Sequence, residues 1–228
     1  MSVTRILTVS LVLAAVVFGA AFVAPDVVAV YAVQSLDVLL HAPGVTIARR
    51  DVAGAWVLTS PGVETLTFGG NAPSGSNELV VTLDARPFLA AGLDPSLLPA
   101  GAQLNGDGAH ASLVMTYEVG VGTFSDAAES QPLQALQDLV HNHRAMLGYH
   151  VALGHFGLAL GGGNMLEWAQ DMRANDKDLV FVLNPQPFVD VGVDVANVQG
   201  WVLADVPVMD AQGRKSTVRK LLRFYNLV

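Results

Sequence analysis

The spacing of apolar positions changes several times along this 228-residue chain, and each change predicts a different element. Residues 6–24, ILTVSLVLAAVVFGAAFVA, form an apolar run without an internal charge, preceded by Arg5 and followed by Pro25 and Asp26. That pattern predicts an export segment. A cleaved signal has a core of roughly 7–15 apolar residues and a membrane-spanning helix needs roughly 20, so the run fits either a signal peptide or an uncleaved anchor. Val30-Tyr31-Ala32 offers permissive residues for a cut after Ala32. The single positive charge before the run places the rest of the chain outside the cytoplasm.

After Ala32 the pattern predicts short strands. Val38–Leu40, Val45–Ala48, Trp56–Thr59, Thr65–Phe68 and Leu79–Leu83 are separated by turn-forming runs such as HAPG, SPG and GGNAPSGSN. Ser112–Gly120 alternates well enough for a strand with one buried face. Leu133, Leu136, Val140, Leu147 and Val151 fall at helical spacing, and Pro132 suits a first helical turn, which predicts a helix ending near Phe156. Asn164 with Glu167 resembles a capping box and predicts a second helix over Met165–Arg173. Leu179–Leu183, Trp201–Met209 and Ser216–Leu222 read as strands, the last two joined in a hairpin. The expected class is α+β, mostly antiparallel β with a central two-helix segment. Residues 1–32 are expected as leader or anchor, 33–125 as a β-rich half, and 126–228 as a helical segment with a second β half, the halves forming one compact domain.

Two stretches resemble each other. LDARPFLAAGLDPSLL, starting at Leu83, returns as LNPQPFVDVGVDVANV, starting at Leu183. In each, a strand meets Pro87-Phe88 or Pro187-Phe188, then Gly92 or Gly192, then Asp94 or Asp194. Proline presets a first helical turn, and glycine at C′ adopts the left-handed conformation that closes it. Phe88 with Leu93, and Phe188 with Val193, are then the apolar pair that touches in such a closure. Asp94 and Asp194 are placed to cap the following turn. Gly69-Gly70-Asn71 and Gly162-Gly163-Asn164 add a second match at a shorter offset, which as a duplication requires an insertion between them. Two related halves, or two similar strand-to-turn connections in one domain, explain the pattern equally well.

Composition narrows the function. Hydrophobic residues make up 52% and charged residues 14% of the chain, enough apolar surface for a folded core. A net charge of −8 with no Lys/Arg cluster interleaved with aromatics argues against nucleic acid. With no cysteine there is no disulfide or thiolate chemistry. His141, His143 and His150 are the candidate metal ligands, with haem as a variant using Met146 or Met165. However, ligands sharing a helix face need spacings of three or four, which no pair here has. Trp56, Trp168 and Trp201 are candidate ligand-pocket side chains. The basic stretch 213–223 fits a solvated edge strand or a contact with an acidic partner. No nucleophile elbow, phosphate loop or zinc-protease motif is present. The expected function is therefore an exported binding or interaction module of the cell envelope, released or membrane-anchored according to the fate of residues 6–24, without a cofactor. Its expected partners are the membrane, through residues 6–24 where that run is uncleaved, and an envelope protein or a small molecule. A histidine-based metal or haem protein, and an enzyme whose site is assembled from distant residues, are the alternatives.

Overall fold

The computed structural model describes residues 25–49, 55–60, 64–68, 78–118, 132–142, 147–150, 153–171, 177–209 and 214–227. The apolar run 6–24, His143 and Met146 lie outside them. No helix among the described residues is long and apolar enough to cross a membrane.

Helix α1 (Pro25–Leu40) leads into β1 (Thr46–Arg49), β2 (Trp56–Thr59), β3 (Thr65–Phe68) and β4 (Glu78–Asp84). A short helix α2 (Arg86–Ala90) follows, then β5 (Ala102–Asn105) and β6 (Ser112–Glu118). The same succession then repeats as α3 (Pro132–Asn142), β7 (Leu147–His150), β8 (His155–Gly161), β9 (Asn164–Ala169), β10 (Leu179–Leu183), α4 (Gln186–Asp190), β11 (Val202–Met209) and β12 (Lys215–Tyr225). Each half builds one six-stranded antiparallel sheet, in the order β1-β2-β3-β4-β6-β5 and β7-β8-β9-β10-β12-β11. The register repeats too: Leu58 faces Leu66 as Leu158 faces Leu166, and Ile47 faces Leu58 as Leu147 faces Leu158. Residues one hundred positions apart thus hold the same place from β1 to α4. Mostly antiparallel β within an α+β class is the architecture found.

Three sequence expectations are corrected. The central helix stops at Asn142, and 147–150 and 155–161 are strands. Phe156, Leu158 and Leu160 alternate into the core, a period of two, and Gly154, at φ +70°, closes the hairpin between the strands. The expected second helix is β9. Leu166 and Trp168 enter the main core while Met165 joins a smaller apolar cluster with Val180, Val182 and Leu222 of the same sheet. Conversely, Val38–Leu40 is helical: Ala32, Ser35, Leu36 and Leu39 are buried at helical spacing. The Val30–Ala32 cut position lies within this helix. The Gly-Gly-Asn match also falls away, because Gly162-Gly163-Asn164 leads into β9 whereas Gly69-Gly70-Asn71 follows β3, outside the described residues. No insertion is required.

The halves exchange their long helices. Helix α1 packs against β7 and β9 of the second sheet, and α3 against β3 of the first. Ser35 Oγ accepts the indole N–H of Trp168 at 3.0 Å, so the first helix is tied to the second sheet in the common core.

At the centre the two resembling stretches meet each other. Leu93 N–H donates to Phe88 O (2.9 Å) and Gly92 N–H to Leu89 O (3.1 Å); Val193 N–H donates to Phe188 O (2.9 Å) and Gly192 N–H to Val189 O (3.0 Å). These are Schellman closures. Asp94 Oδ1 accepts from Ser96 N–H at 2.9 Å and Asp194 Oδ1 from Ala196 N–H at 3.2 Å. Between the copies, Asp94 N–H donates to Val191 O (2.8 Å) and Asp194 N–H to Ala91 O (2.7 Å). The Phe88 and Phe188 rings stack with centroids 4.8 Å apart. Each contact is reciprocated, as in a two-fold interface between identical subunits.

Glycine is required at the seam. A Cβ on Gly92 (φ +102°) would lie 2.9 Å from Gly192 O, and one on Gly192 (φ +90°) 3.0 Å from Gly92 O. Gly92→Ala and Gly192→Ala are each expected to destabilise the protein by on the order of 1–3 kcal/mol in chemical denaturation. Gly108→Ala, at a positive φ with open space around it, is expected to cost less. Equal effects at all three would show that the close approach does not matter.

Candidate functional site

Corresponding strands place corresponding side chains on either side of this seam. Tyr117 on β6 faces Leu79 in register, and Tyr225 on β12 faces Leu179, so the two tyrosines are counterparts. Each reaches the other half's third strand, Tyr117 at the first residue of β9 and Tyr225 at the residue just before β3. Asn164 Nδ2 donates to Tyr117 Oη at 2.5 Å, and Tyr225 Oη donates to the Glu64 carboxylate. Met115 and Arg223 are likewise counterparts, facing Val81 and Phe181. Asp84 ends β4, and its counterpart Asn184 directly follows β10.

The two sides differ in chemistry. On one, Glu64 is buried, Arg223 Nε lies 4.0 Å from its Oε1 and 3.3 Å from Tyr225 Oη, and Arg86 clasps Asp84. The Arg86 side chain holds the Asp84 carboxyl below its ordinary value, while burial and the neighbouring Glu64 carboxylate push the Tyr225 phenol up. Trp201 is buried on this side, edge-on to Phe88 with centroids 5.4 Å apart. The side is a packed, charge-balanced cluster.

The opposite side is open. Val202 faces Leu222 as Gln103 faces Val114, so Ala102 stands where the preceding Trp201 stands in the other copy. The smaller side chain leaves a cavity of about 160 Å³. Its walls are Leu98, Ala102, Leu113 and Met115 from the first half and Pro187, Phe188 and Val191 from the second, with Thr116, Tyr117, Asn164 and Asn184 as polar residues. No lining residue carries a charge at neutral pH. Gly161 and Gly162 make room for the Tyr117 ring, since a Cβ on Gly161 would come within 3.2 Å of it. Asn164 Oδ1 accepts Asn184 N–H (2.8 Å), and Asn184 Nδ2 donates to Gly162 O (3.2 Å). Burial pushes the Tyr117 phenol up to about 12, against the opposing pull of Asn164. The hydroxyl therefore remains a donor at physiological pH.

The candidate residues from the sequence are dispersed. Trp168 is wholly buried in the core, Trp201 occupies the closed side and Trp56 packs at the core margin. None of the three lines the cavity. His141 belongs to α3, but its side chain, like all of His143, is outside what the structure describes. His150 and His155 instead face one another across the β7–β8 hairpin, with Glu167 from β9 beside them. Their Nδ1 atoms lie 3.5 and 3.9 Å from the same Glu167 oxygen. The imidazoles converge on one carboxylate oxygen, and no group of three or more His, Cys, Asp or Glu among the described residues is arranged to hold a metal ion. Sequence reasoning did not single out Tyr117 or Asn184, and marked Asn164 only as a helix cap and in the Gly-Gly-Asn match; the spacing of one hundred pairs Asn164 with Glu64 and Asn184 with Asp84, whereas strand register pairs Tyr117 with Tyr225.

Comparison of the chain with protein-family models, curated proteins and solved structures finds no match.

The closed cluster yields a test of the equivalence. Arg223→Met, which copies Met115, removes the guanidinium beside buried Glu64 and is expected to cost on the order of 2–3 kcal/mol. Adding Glu64→Asn, which copies Asn164, is expected to recover part of that loss in a denaturant double-mutant cycle. Strictly additive losses would contradict an interacting cluster.

Proposed function

We propose that this protein is an extracytoplasmic binding module whose ligand site is the open cavity between its two halves. The carrying observation is the cavity itself, about 160 Å³ of space bordered by apolar walls and a small set of convergent polar groups and open on one side. Such a combination is typical of small-molecule sites. Its size supports a small ligand, since an apolar cavity of roughly 150 Å³ holds a benzene molecule. Placement between two packed halves lets a ligand touch both at once. The charge-free lining and the lack of a nucleophile beside a base in the cavity favour binding over turnover.

Ethylbenzene serves as the first probe, titrated into isotope-labelled full-length protein and followed by NMR. Shifts are expected at Ala102, Met115 and Phe188, and Ala102→Trp is expected to abolish them while leaving the protein folded. Shifts that persist unchanged in Ala102→Trp, or no shifts in the wild type, would overturn this site.

The extracytoplasmic part of the reading rests on the uncharged run 6–24. Because a cut after Ala32 would fall inside α1, an uncleaved anchor or an earlier cut suits the folded chain better. Protease added to bacterial spheroplasts is expected to degrade the protein, and protection until the cells are lysed would contradict export.

A further inference from the structure

We infer that the cavity selects an uncharged aromatic molecule of one or two rings that carries a hydrogen-bond acceptor such as a carbonyl oxygen. The inference rests on the ligand-site reading above and names the class of ligand. Three observations carry it.

The first is the shape of the space. Where the cavity opens beside Ala102, the other copy holds the indole of Trp201 against Phe88, at 5.4 Å and a 62° interplanar angle. Phe188 is the counterpart of Phe88 and lines the cavity. A flat aromatic body is therefore the shape that the same backbone framework already accommodates on the closed side. Aromatic pairs favour such edge-to-face arrangements.

The second is the state of the polar groups. Asn164 gives one of its two amide N–H groups to Tyr117, and its carbonyl accepts the backbone N–H of Asn184; Asn184 gives one side-chain N–H to Gly162 O, and its carbonyl accepts from Gln186 N–H at 3.1 Å. The second N–H of each amide is therefore, like the phenol, a donor suited to an acceptor on the ligand. The Tyr117 hydroxyl accepts from Asn164 but directs its own proton to Met115 Sδ at 3.6 Å. A thioether is a weak acceptor. A ligand oxygen would take that proton with a gain, and the unbranched Met115 side chain can yield. The equivalent phenol, Tyr225, donates to the Glu64 carboxylate, so the framework already presents this hydroxyl to a strong acceptor.

The third is charge. The lining of the open cavity contains no cation to balance an anion and no carboxylate to balance a cation. The ionic partners Glu64, Asp84 and Arg223 all belong to the closed side, where Asn164, Asn184 and Met115 are their neutral counterparts. An ionised ligand would find no oppositely charged group in the lining itself, and the nearby Lys220 Nζ donates to Gly163 O at 2.6 Å.

Acetophenone, ethylbenzene and benzoate are matched in ring and differ in this one feature. In NMR titrations of the full-length protein, acetophenone is expected to bind about three- to tenfold more tightly than ethylbenzene, the effect of one added hydrogen bond. Benzoate is expected to bind more weakly than either. Tyr117→Phe is expected to make acetophenone and ethylbenzene equal while ethylbenzene affinity is retained. If Tyr117→Phe does not fold, Met115→Leu decides, because loss of the competing thioether is expected to raise the preference for the ketone. Equal binding of the two in the wild type, an unaltered preference in either variant, or tighter binding of benzoate would overturn the inference and leave the ligand site standing. Absence of binding by all three, with Ala102→Trp indistinguishable from wild type, would overturn the site itself.

Discussion

The approach of two backbone turns, each closed by a glycine, fixes the arrangement of everything else. Gly92 and Gly192 lie where a single added Cβ would strike the other's carbonyl oxygen, and the amides of Asp94 and Asp194 donate across the seam to Val191 and Ala91. Between them the Phe88 and Phe188 rings stack. A phenylalanine fully withdrawn from water contributes roughly 1.5–3 kcal/mol, and here two do so against one another. Because the contact is reciprocal, one register satisfies both copies. That register carries the sixth strand of each half to the third strand of the other, where Tyr117 meets Asn164 and Tyr225 meets Glu64. The exchanged helices α1 and α3 close the same core from outside the seam.

Symmetry of the backbone combined with divergence of the side chains accounts for the site. On one side a large aromatic, two arginines and two carboxylates occupy the available volume and balance their charges. On the other, alanine, methionine and two asparagines stand at the matching places, and volume remains unfilled. The closed side shows what the framework tolerates there, namely an indole against a phenylalanine and a phenol donating to an acceptor. Interiors are otherwise close-packed, so a cavity at the position where one copy carries tryptophan and the other alanine is the local consequence of that difference. The Tyr117 phenol, buried enough to keep its proton into the alkaline range, supplies direction to an otherwise apolar site.

Local signals carried the turns and most strands into the sequence reading, and long-range pairing escaped it. The Pro-Phe, Gly and Asp succession was legible because a Schellman closure and an Asx cap are built from residues within a few positions of each other. That the two closures touch was not, since nothing local in either copy refers to the other. The central segment misled through composition. Leu147 and Val151 fall at helical spacing from Val140, but the alternation of Phe156, Leu158 and Leu160 decides the strand. Asn164 and Glu167 mimic a capping box, yet Asn164 is drawn to Tyr117 and Asn184, and Glu167 to His150 and His155. Helix α1 was obscured by the leader-like run before it. SLDVLLH at 35–41 and ALQDLVH at 135–141 show the repeat at the same spacing of one hundred and would have placed both helices. The cavity depends on Ala102 and Trp201 being counterparts, which only strand register reveals.

The central claim is that the reciprocal seam makes the two halves one cooperative unit. Native-state hydrogen exchange measures this directly, because the Asp94 and Asp194 amides each bond to the opposite copy and the amides of β4 and β10 lie in the two separate sheets. All of these are expected to exchange with one common free energy, equal to that of global unfolding. Exchange of the β4 amides at a free energy distinct from that of β10, with Asp94 and Asp194 following the less stable half, would show that the halves open independently and contradict the account.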